Sequence, residues 1–175
     1  MENKKLHGEN RRTALIEWLK EATKPLPGQL LAKRARVSRQ VIVQDMSILK
    51  AKEAPILATP QGYIYLKDRK TEQRTRVIAL KHPPDKMTDE LYIFVDHGIT
   101  VLDVTVEHPV YGEMTGTLHL SSRQDVDRFC QKMSATNAPL LSTLTDGVHL
   151  HRVAFEREEQ LEAALAILDQ EGFLL

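Results

Sequence analysis

The chain has 175 residues, with 24 Lys and Arg against 24 Asp and Glu, 42% hydrophobic side chains and a single cysteine. Zero formal charge argues against a uniformly basic nucleic-acid binder, the composition excludes disorder as the main state, and one thiol, Cys130, excludes an internal disulfide or a thiolate metal cluster. The neutrality is a cancellation: residues 1–70 hold 15 basic and 7 acidic side chains, a net +8, and residues 71–175 hold 9 and 17, a net −8.

Asn10 reads as the N-cap of a first helix whose inward stripe is Leu15, Trp18, Leu19 and Ala22 and which Pro25 and Pro27 end. A short second helix over 29–34 carries Leu30, Leu31 and Ala32, and Ser38 caps a third that turns Ile42, Met46 and Leu49 inward. The three are expected to pack around Trp18. Two β-prone runs, 55–58 and 63–66, flank Thr59-Pro60-Gln61-Gly62 and predict a two-stranded wing. The polar stretch 67–73 has nothing to bury, so the domain boundary is placed there, with a first domain over 1–70 and a second over 74–175.

Beyond the boundary the periodicity predicts a strand over 77–81, then a helix over 84–97 with Met87, Leu91, Phe94 and Val95 in one stripe and Gly98 as its stop. Strands over 99–106 and 116–120 follow, joined by His108-Pro109-Val110-Tyr111-Gly112. Ser122 caps a helix with Val126, Phe129, Cys130 and Met133 inward, where Cys130 reads as a core thiol. A strand over 148–155 and a helix with Leu161, Ala164, Leu165 and Leu168 complete the order β-α-β-β-α-β-α, an α+β domain. The absence of a roughly 20-residue apolar run, of a signal-peptide segment and of paired cysteines predicts a soluble, cytoplasmic protein.

Residues 29–50 fit a helix-turn-helix, with Ala32 small at the helix contact, Val37 plugging the turn, and Arg36 where a left-handed residue is needed, a strain of about 1 kcal/mol. The outer face of the second helix presents Ser38, Arg39, Gln40, Val43, Gln44 and Ser47. Arg can grip guanine and Gln adenine with two hydrogen bonds, and Val43 can touch a thymine methyl. Lys33, Arg34, Arg36, Lys50 and Lys52 flank that face and suit phosphates. With the wing, residues 9–66 resemble the winged helix-turn-helix modules of bacterial regulators.

Six of the seven histidines lie in the second domain. His149 and His151, two apart on a strand, project from one face and can converge on one ion. Glu90, at the margin of an apolar stripe, needs a proton or a cation, and His82 directly follows the first strand of its domain. Three imidazoles and a carboxylate suit Zn²⁺, Ni²⁺, Fe²⁺ or Co²⁺. His97, His108 and His119 read as structural or exposed.

Lys81-His82-Pro83, Glu90-Leu91-Tyr92, Val101-Leu102-Asp103-Val104, Val106 to Gly112 and Gly147-Val148-His149-Leu150-His151 together resemble the 3H domain, which in its family follows a winged helix. The proteins of that family are niacin-responsive transcriptional repressors. The resemblance implies an α/β-sandwich-like second domain and one nickel or zinc ion per chain on His82, Glu90, His149 and His151. It implies nicotinic acid as co-repressor, with His108, Tyr111 and Arg152 as candidates to line the effector pocket. The expected protein is a homodimeric repressor of niacin uptake or salvage genes, its second domains pairing to set recognition helices about 34 Å apart on double-stranded operator DNA. A metal-sensing regulator and a metal-dependent hydrolase with a DNA-binding module are the alternatives the residues leave open.

Overall fold

The computed structural model describes residues 8–66 and 73–175, and the chain divides into two compact units, Met1–Lys70 and Thr71–Leu175. The linker expected at 67–73 lies, apart from Gln73, outside the described residues. In the first unit α1 (Gly8–Glu21), α2 (Gly28–Ala35) and α3 (Arg39–Ala51) precede a hairpin of β1 (Ile56–Thr59) and β2 (Gly62–Tyr65). This is the winged helix-turn-helix that the periodicity and the turn residues predict.

Two expectations for this unit need correction. Helix α1 is already formed at Gly8, so Asn10 lies inside it and caps nothing. Trp18 is not the centre of the helices: Leu15 and Leu19 are buried with Leu31, Ile42 and Met46, while Trp18 packs at the edge of that cluster. The physical reason is a competing partner, since the guanidinium of the exposed Arg34 lies 4.2 Å above the indole ring, and a charged head that stays in water holds the ring face it covers at the surface. Arg36 does take the left-handed conformation, φ 55° and ψ 44°, and Ser38 caps α3 by accepting from the Val41 N–H. The wing is pinned by reciprocal 2.9 Å bonds between Leu26 and Tyr63. Gly62 permits that approach, because a Cβ there would lie 2.4 Å from the Leu26 carbonyl.

The second unit is an α+β domain built on one antiparallel sheet of order β3-β6-β4-β5, from β3 (Arg74–Lys81), β4 (Thr100–His108), β5 (Gly112–Leu120) and β6 (Val148–Phe155). Strand β3 begins before the predicted run, at Arg74, since Arg74 and Arg76 reach Glu158 of the last helix and need no apolar side chain to hold them. Helices α4 (Met87–Asp96), α5 (Arg123–Thr136) and α6 (Glu158–Gln170) contribute Leu91, Phe94, Val126, Leu161 and Leu168 to a core with Leu80, Val101, Leu120 and Val153 of the sheet. The predicted helix over 84–97 is a 3₁₀ turn, Pro84–Lys86, running into α4. Strands β4 and β5 form one long hairpin, longer than predicted, with a register slip between Val101 and Asp103. His119 lies by that slip with φ 54°. Among the described residues no helix is long and apolar enough to cross a membrane.

Candidate metal centre and nucleic-acid interface

Strand β6 alternates, so His149 and His151 point to the face that also carries Val153 and Phe155. Strand β3 ends beside them, with Leu80 opposite His149, and the chain then places His82 at the mouth of the sheet. Gly147 makes this junction possible: its φ is 90°, and a Cβ on it would lie 2.5 Å from the His82 carbonyl oxygen. Helix α4 lays Glu90 over the same point. His82, Glu90, His149 and His151 are all buried.

The hydrogen bonds dictate how these four groups face one another. Each imidazole Nδ1–H donates to a backbone carbonyl: His82 to Pro83 at 2.8 Å, His149 to Gly147 at 2.8 Å, and His151 to Asp103 at 2.7 Å. A carbonyl can only accept, so Nδ1 carries the proton and the neutral ring presents its lone pair at Nε2. All three Nε2 atoms aim at Glu90, at 2.6 Å from Oε2 for His82 and at 3.4 and 3.2 Å from Oε1 for His149 and His151. Lone pairs against a carboxylate repel unless a cation lies between them. Protons can serve, and they explain the directions of titration. Burial lowers His82, but its hydrogen bond to Glu90 and the Pro83 carbonyl outweigh burial and raise it. Burial likewise lowers His151, but attraction to Glu90 raises it overall. Glu90 is pushed up by burial, yet attraction to His151 and hydrogen bonds from the three imidazoles hold it well below the ordinary carboxylate range.

A metal ion serves the same need with one charge centre. Ligand atoms of His82, Glu90 and His149 lie within 4.8 Å of one another and could hold a metal ion. His151 stands outside that mutually close set and joins through Glu90, its ring centroid 4.9 Å from that of His149. Neutral imidazole nitrogens plus one carboxylate, with every Nδ1–H anchored to a carbonyl, fit a divalent transition metal in both the donor set and the orienting shell. The anchoring carbonyls of Pro83, Gly147 and Asp103 are the part that residue spacing does not reveal.

Beside His151 opens a cavity of about 200 Å³, walled by Met87, Phe129, Met133, Leu141 and Gly116. Neither His108 nor Tyr111 lines it. Both sit on the β4–β5 hairpin, where His108 Nδ1 accepts from the Val110 and Tyr111 N–H groups, and the Tyr111 ring is 76% exposed. Arg152 is engaged by Asp103 through Nε and Nη2, at 2.9 and 2.6 Å. The three effector candidates therefore do not converge in the structure. His97 caps α4 and donates from Nδ1 to Ile93, while burial lowers the His119 imidazole.

In the first unit Ser38, Arg39, Gln40, Gln44 and Ser47 are exposed along α3, and Val43 is half-buried among them. Ser47 spends its hydroxyl on the Val43 carbonyl, and Arg34, though exposed, is stacked on Trp18; Lys33, Arg36, Lys50 and Lys52 are exposed as well. On the inner side, Asp45 is buried and receives Arg11 at 2.5 Å and Arg12 at 3.4 Å from α1. No periodicity marks these three residues, because an Asp on the inner side of a helix reads as noise until its partners are seen.

Comparison with known proteins agrees with both units. Residues 75–175 match the model of the 3H domain, and residues 11–64 match that of an HTH domain. The chain is 48% identical over 176 residues to the transcription repressor NadR of Bacillus subtilis (strain 168), covering 99% of this chain and 98% of that protein. It is 37% identical over 167 residues to the probable transcription repressor NiaR of Thermotoga maritima, covering 95% and 94%.

Proposed function

The chain belongs to the NadR/NiaR family of transcription repressors, with an HTH DNA-binding domain and a C-terminal 3H domain, and on that premise we propose that it represses niacin uptake or salvage genes with nicotinic acid as co-repressor. The relatives are repressors and not enzymes. The recognition surface is Ser38, Arg39, Gln40, Val43, Gln44 and Ser47 on α3, and the protein acts as a homodimer on a pseudo-palindromic operator. His82, Glu90, His149 and His151 hold one nickel or zinc ion. Such an ion supplies a concentrated positive charge and a coordination position that a small carboxylate can fill.

The observation that carries the effector reading is the cavity against His151. At about 200 Å³ it is smaller than the roughly 300–1,000 Å³ of drug-sized pockets, a size that suits one six-membered ring. Its walls are the thioethers of Met87 and Met133 and the ring of Phe129, which take an aromatic face. Its polar lining is His151 together with Thr117 and Ser142, so an aromatic carboxylate can bury its ring and keep its charge toward the histidine group. His108, Tyr111 and Arg152 are then not pocket residues. The test is calorimetric titration of the metal-loaded chain with nicotinic acid and with nicotinamide. The acid should bind more tightly, and Gly116→Leu, which fills the cavity, should abolish binding while the metal is retained. Equal affinity for acid and amide, or undiminished binding by the Gly116→Leu chain, would contradict the assignment.

A further inference from the structure

The helix-free face of the four-stranded sheet carries a pattern that neither the histidine group nor the recognition helix uses. Residues directly opposite on neighbouring strands share a face, so the strand register fixes what lies on it. One row crosses the sheet as Val77, Arg152, Asp103 and Thr117. The next is Ala79, Leu150, Thr105 and Thr115. At the lower end Lys81 lies opposite Val148 on one side of the sheet, and Glu107 opposite Glu113 on the other.

Two features of this face are unusual for a surface meant only for water. The β3–β6 half carries an open apolar strip beside Arg152 and Lys81: Val77 is 57%, Val148 38% and Leu175 69% exposed. Leu175 is tied to that half by its N–H, which donates to Ala79 at 3.2 Å. Single exposed apolar residues are ordinary, but a contiguous patch marks an interaction site. The β4–β5 half sets Glu107 against Glu113, two like charges in direct opposition. Among the described residues no ion pair is found for either glutamate or for Lys81 at the far edge.

We propose that this face docks on the same face of a second copy, about a two-fold axis parallel to the strands and running between β6 and β4. The proposal rests on the homodimer reading above and names its surface. That rotation preserves each row and lays β3 over the partner's β5. Lys81 then lies over the partner's Glu113, and the acidic pair of each copy gains a cation. Arg152 lies over the partner's Asp103, so the one pair already formed within each chain joins its counterpart to close a ring of four charges with none left unpaired. Val77 and Ala79 meet the methyl groups of threonines on β5. The contact is isologous and closes at two. Aligned sheets cross at about 30°, which displaces the edge rows by a distance a lysine side chain spans.

The test is a charge swap on the full chain, read by sedimentation equilibrium. Lys81→Glu and Glu113→Lys should each weaken dimerisation about tenfold, because each sets like charges face to face twice per dimer. Carried together they should restore wild-type dimerisation within about threefold. Val77→Glu, an exposed substitution that leaves the core untouched, should also yield monomers. Circular dichroism checks that each chain is folded. A dimer indifferent to both single swaps and to Val77→Glu overturns this surface and leaves the homodimeric repressor standing. Two single effects that add in the double variant overturn the two-fold arrangement. A wild-type chain that is monomeric on its operator overturns the dimer reading and this surface with it.

Discussion

Asp45 and Glu90 are both buried acids, 2% and 1% exposed, and the two units neutralise them with different chemistry. In the first, Arg11 and Arg12 meet Asp45 with charges that no accessible pH removes. The result is a fixed staple between α1 and the recognition helix. In the second, three imidazoles meet Glu90, and imidazoles exchange protons for metals. A permanently charged partner makes a structural pair, whereas exchangeable partners make a site. The net +8 and −8 of the halves lie mostly on exposed side chains and are separate from these two buried groups.

The largest effect should come from removing the exchangeable partners. His149→Ala with His151→Ala leaves Glu90 buried with one imidazole, and breaking a buried charged group of this kind costs on the order of 3–5 kcal/mol. Elemental analysis should find about one metal ion per wild-type chain and almost none in the double variant, whose effector response should vanish while non-specific DNA binding persists. Metal retained at the wild-type level would remove these residues from the site. The staple comes next. Asp45→Ala should cost about 2–3 kcal/mol, below the fully buried figure because both arginines keep some access to water. Metal content should not change; a midpoint of denaturation shifted by less than about 0.5 kcal/mol would show that Asp45 is not what holds α3.

Arg39→Ala touches neither acid and should leave stability unchanged while losing about 1–3 kcal/mol of discrimination between operator and random duplex. Replacing Lys50 instead should weaken all sequences alike and flatten the salt dependence by about one ion. Equal loss on both duplexes for Arg39→Ala would demote it to a phosphate contact. The smallest effect concerns His119, which burial keeps low despite the attraction of Asp125. A base depressed on folding binds fewer protons folded than unfolded, so it costs stability as pH falls through the unfolded value near 6.5. His119→Asn tolerates the left-handed backbone and should flatten the acid side of the melting profile by less than about 1 kcal/mol; an unchanged profile would assign that slope elsewhere.

The helix-turn-helix was legible because its signals are local: a cap at Ser38, a left-handed turn at Arg36 and inward residues at helical spacing. Trp18 was misplaced because periodicity puts it on the stripe but says nothing of the guanidinium that holds it at the rim. Alternation alone put His149 and His151 on one face. The anchor of His151 on the Asp103 carbonyl and the capture of Arg152 by the Asp103 carboxylate arise from register between strands 48 and 49 residues apart in sequence, and the anchor of His149 on Gly147 depends on a local backbone turn. The cavity draws Phe129 from α5 and Leu141 from the turn after it, and His108 and Tyr111 instead project from a hairpin whose length the sequence understated.

The most direct test of the central claim, that a histidine-held site in the second unit governs DNA binding by the first, is a titration of the chain's own upstream DNA with and without nicotinic acid in metal-replete buffer. The wild-type chain should bind at least about tenfold more tightly with the acid, a coupling of about 1.4 kcal/mol, and the His149→Ala, His151→Ala chain should bind equally with and without it. Wild-type affinity that does not move with nicotinic acid would contradict the account.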